Sequence, residues 1–184
     1  MKYLMALITS FLFLSMGCKK MADEQNVTTF YLVRHAEKTK QKNDPGLTAE
    51  GKERAFFLAN YLKDIPLDAI YSTDYFRTRL TAQPTASSQN VPMQLYDASD
   101  LKKFSKDITG KHKNQKVLVV GHSNTTAKLA NLLLGENKFA EIPHSEYDNL
   151  YVITLGKDRK GLNLKYGEQI GKKSIMGKKK DMIK

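Results

Sequence analysis

Short apolar runs alternate with stretches of helical periodicity along most of the chain. The runs Phe30-Tyr31-Leu32-Val33 and Val117-Leu118-Val119-Val120 are typical of strands buried on both faces of a parallel sheet. The pattern predicts strands at 27–33, 67–71, 91–95 and 116–120, helices at 48–63, 74–87, 101–108 and 123–134, and a terminal hairpin at 149–155 and 162–166. Because strands alternate with helices, we expect an α/β fold, a three-layer α/β/α sandwich with a mostly parallel mixed sheet.

Capping and turn residues set the predicted element boundaries. Thr48 is a good N-cap for the first helix, and Asp74 is expected to open the second. Gly135 is expected to close the last helix. Asp158 and Gly161 are expected in the turn of the terminal hairpin.

Size and composition describe one globular domain with an uneven charge. The chain has 184 residues, 41% of them hydrophobic and 27% charged, which excludes a mainly disordered or membrane-spanning protein. The net charge is +11, and residues 171–184 contain six lysines against one aspartate. We interpret 171–184 as a solvated, disordered basic tail; the alternative is attraction to an anionic membrane or another polyanion. The sequence contains no recognisable nucleic-acid-binding module, so nucleic acid is not an expected partner.

The first residues have the pattern of an export signal. Lys2 is followed by apolar residues through Leu14 and then by Ser15-Met16-Gly17-Cys18. Leu14 to Cys18 resembles the lipobox of bacterial lipoproteins, which implies lipidation of Cys18, the only cysteine. We therefore expect a lipoprotein signal peptide at 1–17, a tether at 18–26 and an exported, membrane-anchored protein in the periplasm or at the cell surface. A simple cleaved signal and an uncleaved anchor are the alternatives.

Two histidines follow two of the apolar runs directly. Arg34-His35 comes after the first run and Gly121-His122 after the second, and Arg77 follows a third apolar stretch, 69–71. Open α/β sheets bind ligands at the carboxyl ends of their strands. We therefore expect these two imidazoles and two guanidinium groups to form one site for a dianion, with phosphate as the best fit.

Four segments in order carry a family resemblance over about residues 27–155. They are Tyr31-Leu32-Val33-Arg34-His35-Ala36-Glu37, Leu47-Thr48-Ala49-Glu50-Gly51, the segment 72–82 with Arg77 before Thr81-Ala82, and Val119-Val120-Gly121-His122-Ser123. Together they resemble the histidine phosphatase superfamily, with its phosphoglycerate mutase-like fold. Ala36 stands where the family most often has Gly, and the alanine form is familiar in its small phosphatase branch.

The resemblance and the chemistry of the side chains assign the same roles. His35 is the expected nucleophile, which forms a phosphohistidine that water later cleaves. Arg34 and Arg77 are expected to bind the non-bridging oxygens, with His122 as a further donor. Asn124 is a candidate phosphate-binding residue in the first turn of the last helix. This scheme needs no metal and no cofactor, and no ligand-like spacing joins the four histidines.

The proton donor for the leaving group is not defined by any motif. Larger relatives carry a glutamate after the second arginine or an aspartate after the second histidine, whereas here Ser123 follows His122. Asp97 and Asp100 lie in the right general stretch. Family phosphatases that act on phosphohistidine lack a dedicated acid, so its absence slightly favours labile substrates.

Other residues near these segments have competing interpretations. An alternative interpretation of Arg34 is that it forms a structural ion pair with Glu37 or Glu50. Asp44 is a candidate for orienting the loop over the site, and His144 is expected at the rim of the site. Arg79 is expected on another helix face, and His112, between two lysines, is expected to be solvated.

Three functions fit these observations. The first is a phosphatase that hydrolyses phosphomonoesters or phosphorylated protein side chains through a phosphohistidine. The second, a phosphoglycerate mutase, is disfavoured because the chain is short and lacks the glutamate motif. The third is a surface-anchored protein that binds phosphate or polyanions without catalysis. The sequence leaves the oligomeric state open.

Overall fold

A six-stranded mixed sheet forms the centre of the computed structural model, which describes residues 26–167. Its strands are β1 (Thr28–Arg34), β2 (Ala69–Ser72), β3 (Met93–Leu95), β4 (Lys116–Gly121), β5 (Asn149–Leu155) and β6 (Arg159–Lys165). The helices are α1 (Ala49–Tyr61), α2 (Phe76–Gln89), α3 (Leu101–Lys111) and α4 (Ser123–Leu134), and a 3-10 turn (Ala98–Asp100) precedes α3. The strand order is β3-β2-β4-β1-β5-β6.

The first four strands run parallel, and the terminal hairpin is added in the antiparallel sense. β1 pairs with β4 so that Arg34 lies opposite Gly121, and β2 pairs in parallel with both β4 and β3. β5 runs antiparallel to β1, and β6 runs antiparallel to β5. The mostly parallel mixed sheet expected from the alternating pattern is confirmed.

Each face of the sheet carries its own apolar core, which confirms the three-layer arrangement. On one face, Leu32 and Val119 pack in a cluster with Phe104 of α3 and Leu129 of α4. On the opposite face, Val33, Ile70 and Leu118 of the sheet form a second cluster. They pack there with Leu58 of α1 and Ala82 of α2. Successive residues of β1 and β4 alternate between these clusters, because side chains of a strand point to opposite faces.

The start of α2 differs from the sequence expectation. The helix begins at Phe76, and Asp74 forms an ion pair with Arg79 on the exposed side. The cap comes from a distant loop, because the Phe76 N–H donates to both carboxylate oxygens of Asp44, at 2.9 and 3.0 Å. A capping residue from another part of the chain leaves no local signal, so the expectation for Asp74 was wrong.

The hairpin turn is also displaced from its predicted position. β6 begins at Arg159 and the turn occupies 156–158, so Gly161 lies inside the strand opposite Ile153. A Cβ atom at Gly161 would come within 3.0 Å of a Leu134 methyl group. The glycine therefore leaves room for the Leu134 side chain of α4 and does not form a turn.

Several predictions fall on residues outside the described range. These are the signal peptide at 1–17, Cys18, the tether apart from Asn26, and the basic tail at 171–184. Within residues 26–167, none of the helices has the length and apolar character needed to cross a membrane.

Candidate active site

The parallel pairing of β1 with β4 places the two candidate histidines side by side. His35 and His122 directly follow the paired residues Arg34 and Gly121, and the His35 N–H donates to the Gly121 carbonyl oxygen at 2.9 Å. The two imidazole centroids are 5.5 Å apart in an edge-to-face arrangement. The sequence prediction that these two strand ends meet is confirmed.

His35 is held as a neutral imidazole with one nitrogen free. Its side chain is only 4% exposed, and Nδ1 lies 2.8 Å from the Ala36 carbonyl oxygen. A carbonyl only accepts hydrogen bonds, so Nδ1 carries the proton and Nε2 keeps its lone pair. Burial, with the neighbouring charges of Arg34 and Arg77, lowers the pKa of His35 to about 3. Neutral imidazole with an oriented Nε2 is the form that attacks an electrophile.

Arg34 is fixed by the loop that follows α4. Its Nη1 donates to the carbonyl oxygens of Pro143, His144 and Glu146, at 3.2, 3.0 and 2.7 Å. The guanidinium also lies 4.0 Å from the ring centre of Tyr147. Its Nε–H is buried and has no hydrogen-bond partner among the described residues. A buried donor without an acceptor is costly, and an oxyanion would satisfy it.

The alternative ion-pair role proposed for Arg34 with Glu37 is wrong. Glu37 instead binds Arg54, with Nη2 at 2.6 Å and Nε at 2.9 Å from its carboxylate. Arg54 also donates to the Tyr166 carbonyl oxygen, which ties the backbone after His35 to the end of β6. This pair supports the loop that carries the candidate nucleophile.

Arg77 approaches the same space from the first turn of α2. One of its nitrogens lies 3.6 Å from the Asp44 carboxylate, and Nη2 lies 3.4 Å from His122 Nδ1. Its Nε is also buried and unpartnered among the described residues. Asp44 adopts a positive φ of 40° to reach both Arg77 and the helix start, which agrees with its predicted role in orienting this loop.

The hydrogen bonds around His122 define its tautomer. Arg77 can only donate, so His122 Nδ1 accepts, and Nε2 donates to the Thr73 hydroxyl at 2.9 Å. Thr73 donates in turn to the Thr78 hydroxyl at 3.0 Å. Burial, followed by the charges of Arg77 and Arg34, lowers the pKa of His122 to about 4. A dianion beside these groups would raise that pKa and favour the protonated, donating imidazole.

An open cavity of about 1280 Å³ surrounds these side chains. Asn124 and His144 line it as expected, and so does Asp97. The Asp97 carboxylate accepts hydrogen bonds from the Ser99 N–H and hydroxyl, which lower its pKa and make it a poor proton donor. Asp100 lies in a different cavity, beside Phe104 and Ile108, where it caps α3.

Two other sequence expectations have clear outcomes. His112 is buried, not solvated: it bonds to the Tyr71 hydroxyl at 2.8 Å and to the Gln115 side chain at 2.7 Å. Arg79 does not line the cavity, as its position on another helix face predicted; its partner Asp74 does. Lysine neighbours misled the interpretation of His112, because they flank it in sequence while its own side chain points inward.

Sequence reasoning missed Thr73 and Tyr147. Thr73 lies in the segment that was recognised for Arg77, but no pattern indicated that its hydroxyl would bind His122. Tyr147 follows a polar loop, and its contact with Arg34 joins positions 113 residues apart. Contacts of this kind depend on which loops meet in the fold.

Gly51 packs directly beneath the loop that follows His35. A Cβ atom there would lie 2.2 Å from the Glu37 carbonyl oxygen, which also accepts the Thr48 N–H at 2.9 Å. We expect Gly51→Ala to lower the free energy of unfolding by at least about 2 kcal/mol, since neither helix nor loop backbone can give way cheaply. The measurement is chemical denaturation followed by circular dichroism.

Gly110→Ala is the matched control for Gly51→Ala. Gly110 lies in α3, where an added Cβ atom would contact nothing beyond the backbone of its own helix. Alanine there is expected to stabilise the helix by up to about 1 kcal/mol. Equal effects of the two substitutions would contradict the packing role of Gly51.

The neutral state of His35 predicts a loss of stability in acid. In the unfolded chain the imidazole binds a proton with a pKa near 6.5, whereas burial keeps the folded pKa at about 3. The unfolded state therefore binds more protons between these values, and stability falls as the pH falls. From about pH 7.5 to about pH 5, His35 should remove about 2 kcal/mol. Denaturation of wild type and His35→Gln at both pH values measures this, and parallel losses in the two proteins would contradict it.

Metal ligation is not evident around this site. Within residues 26–167, no group of three or more histidine, cysteine, aspartate or glutamate side chains is arranged to hold a metal ion. The donors that face the cavity from Arg34 and Arg77 are cationic, which suits an anion and not a cation.

Comparison with known proteins agrees with this arrangement. Residues 30–99 match the family model of the histidine phosphatase superfamily (branch 1). That range contains Arg34, His35 and Arg77, while His122 lies beyond it. No curated protein sequence matches the chain significantly.

Solved structures share the fold at low sequence identity. The protein histidine phosphatase SixA, solved with tungstate, is 16% identical in sequence to this protein and superposes with a TM-score of 0.61. The alignment covers 74% of this chain and 96% of the SixA chain. A mycobacterial glucosyl-3-phosphoglycerate phosphatase is 11% identical with a TM-score of 0.62, covering 76% and 99%. A phosphoserine phosphatase from Entamoeba histolytica is 15% identical with a TM-score of 0.55, covering 76% and 96%.

The family match and the shared fold support the same assignment. The matched segment carries the Arg34-His35 motif, and the fold completes it with His122 from β4. Residues 30–99 are therefore similar to the histidine phosphatase superfamily (branch 1), and the described domain shares the fold of solved phosphatases.

Proposed function

We propose that the protein is a phosphatase that hydrolyses phosphomonoesters or phosphorylated protein side chains through a phosphohistidine at His35. The observation that carries this proposal is the pairing of a neutral imidazole, whose Nε2 keeps its lone pair, with two arginines whose buried Nε–H groups have no partner within residues 26–167. A nucleophile beside orphaned donors is the arrangement that phosphoryl transfer requires.

The reaction takes place in two displacements at phosphorus. In the first, the lone pair of His35 Nε2 forms a bond to phosphorus while the bond to the leaving group breaks, and the leaving group takes up a proton from solvent water in the open cavity. In the second, water attacks phosphorus, the P–N bond breaks and inorganic phosphate leaves with neutral His35 restored. Arg34 and Arg77 bind the non-bridging oxygens throughout and stabilise the charge that builds up on them.

His122 assists once the dianion is bound. Its Nδ1 accepts from Arg77 in the free protein, and a bound phosphoryl group raises the pKa of the imidazole so that Nδ1 becomes a donor. Nε2 of His122 stays hydrogen-bonded to Thr73, whose hydroxyl donates to Thr78. The ring therefore does not rotate as its protonation state changes.

Phosphohistidine is the favoured substrate class within this proposal. Of the two acid candidates from the sequence, Asp97 lines the cavity and is held as a carboxylate by Ser99. Asp74 and Glu141 also line the cavity, and Asp74 is paired with Arg79. A leaving imidazole needs less help from an acid than a leaving alkoxide does. SixA is named a protein histidine phosphatase, whereas other structures of this fold are named for phosphoserine or a sugar phosphate. A cavity as open as this one also admits a protein side chain.

Trapping the covalent intermediate tests the proposal. The full-length protein is mixed with a radiolabelled phosphoryl donor and quenched within the first turnovers. We expect a label that is stable in alkali and lost in acid, as a phosphoramidate is, located on the peptide that contains His35. Tight binding of phosphate with no turnover and no label would instead favour the non-catalytic binding protein. Conversion of 3- to 2-phosphoglycerate would indicate a mutase.

We also propose that Cys18 carries a lipid that anchors the exported protein to a membrane. The support is the sequence pattern at 1–18, an apolar stretch that ends in Leu14-Ser15-Met16-Gly17-Cys18. Metabolic labelling with a fatty acid, compared between wild type and Cys18→Ser, decides this proposal.

A further inference from the structure

Within residues 26–167, part of the sheet is left uncovered on the side where α1 and α2 pack. Leu162 of β6 lies opposite Val152 of β5, which lies opposite Tyr31 of β1, so these three side chains share one face. Leu162 is 59% exposed, and Leu164, two residues further along that face, is 37% exposed. The helices on this side shield the centre of the sheet and leave its β6 edge open.

One flank of α1 extends this apolar surface. Phe57 and Tyr61 are one helical turn apart and exposed. Arg54, on the same flank, reaches the Tyr166 carbonyl oxygen beyond β6, and the phenol of Tyr61 raises the pKa of Tyr31 in addition to the effect of burial. This flank therefore faces the open part of the sheet. We call the combined surface the α1–β6 face; it consists of Tyr31, Phe57, Tyr61, Val152, Leu162 and Leu164.

Cationic side chains border the α1–β6 face at one end. The turn of the β5–β6 hairpin and the start of β6 contain Lys157 and Lys160 against a single acid, Asp158, whereas Arg159 lies on the opposite face and donates to the Leu133 carbonyl oxygen of α4. Lys160 shares the face of Leu162, because the two residues are two positions apart in the strand. The chain enters the described domain beside this turn, since a Cβ at Gly156 would lie 3.2 Å from a Val27 methyl group.

The charges of β6 argue against the binding of a second copy of this protein to the α1–β6 face. Antiparallel pairing of two β6 strands about Leu162 would place Arg159 opposite Lys165 of the other copy and Lys160 opposite Leu164. Like charges directly opposite each other destabilise a strand pair, and lysines on an edge strand oppose pairing in general.

An anionic lipid surface fits the same features. Aromatic and aliphatic side chains insert at the level of the headgroups, and nearby lysines and arginines interact with the lipid phosphates. We propose that the α1–β6 face rests on an anionic membrane, with Lys157 and Lys160 against its headgroups. The hairpin turn lies at the sheet end opposite His35, because Leu155 pairs with Thr28 at the start of β1. Bound in this way, the protein keeps its catalytic cavity clear of the lipid. The proposal depends neither on the phosphatase activity nor on lipidation of Cys18.

The absence of tryptophan from the sequence makes the test direct. Leu162→Trp places a fluorescent probe on the α1–β6 face, and Lys106→Trp, exposed on α3 in the opposite layer, is the matched control. Each full-length variant is bound to phosphatidylcholine vesicles with or without phosphatidylglycerol, and sedimentation measures the bound fraction. We expect the emission of the probe at 162 to shift to the blue and to be quenched by brominated lipid when phosphatidylglycerol is present, with no change at 106.

Charge-reversal substitutions and a change of protein concentration distinguish binding to an anionic membrane from self-association. Lys157→Glu with Lys160→Glu, added to Leu162→Trp, should remove the response to phosphatidylglycerol. No shift at 162 in vesicle-bound protein, equal shifts at 162 and 106, or failure to sediment with anionic vesicles would overturn the proposal. A blue shift that needs no lipid and grows with protein concentration would also overturn it, in favour of a second copy.

Discussion

His35→Asn is expected to lower kcat for an aryl phosphate by a factor on the order of 10⁴ or more, with the fold retained. Asparagine can still donate a hydrogen bond to the Ala36 carbonyl oxygen that now binds Nδ1, but it has no lone pair in place of Nε2. The loss should therefore appear in the chemical step and not in phosphate binding. Steady-state kinetics and calorimetry with inorganic phosphate separate the two.

His112→Asn is the matched control for this substitution. His112 is equally buried, but it bonds to Tyr71 and Gln115 far from the cavity. We expect it to lower stability while kcat stays within a few-fold of wild type. Wild-type turnover by His35→Asn would remove the basis of the proposed mechanism.

Arg34→Lys is expected to reduce kcat/KM by about 10²- to 10³-fold, although the formal charge is unchanged. Arg34 uses Nη1 to hold three carbonyl oxygens of the 143–146 loop, and its Nε remains available to the phosphoryl group. A lysine ammonium is a single centre and cannot hold the loop and the substrate at once. Because the interaction strengthens in the transition state, kcat should fall together with kcat/KM.

Arg79→Lys provides the comparison for Arg34→Lys. Arg79 lies on the exposed side of α2, paired with Asp74, and does not line the cavity. Kinetic constants within two-fold of wild type are expected, by the same assay. Equal losses in the two variants would show that the effect comes from net charge and not from the bifunctional geometry of Arg34.

These expectations define what a substrate search should examine first. A neutral nucleophile with a pKa of about 3 stays active well below neutral pH, so the acid limit of activity should follow the ionisation of the substrate phosphate and not that of His35. Substrates with good leaving groups, phosphohistidine among them, are the first to test. Protein-bound and small phosphorylated compounds should be compared under the same conditions.

The predicted candidate site was close to the observed one because its main elements are local. Arg34-His35 and Gly121-His122 each follow an apolar run, and parallel strands end at one edge of a sheet, so the sequence alone predicts that the two histidines meet. Arg77, Asn124 and His144 line the cavity, and Asp44 lies beside Arg77; their roles remain predictions. The errors at Asp74, Gly161 and His112 share one cause, since a distant residue decides each of them. Asp44 caps α2 in place of Asp74, Leu134 packs on Gly161, and Tyr71 bonds to His112.

The amino-acid sequence by itself determined the elements, their α/β order and the two imidazoles at one sheet edge, because hydrophobic periodicity and strand polarity are properties of short segments. Only the tertiary structure decided the protonation state and orientation of those imidazoles. The Ala36 carbonyl, the Thr73 hydroxyl and the three loop carbonyls around Arg34 come from separate parts of the chain. The pKa values of His35 and His122 depend on burial and on nearby charge, and both quantities exist only once distant residues have packed together.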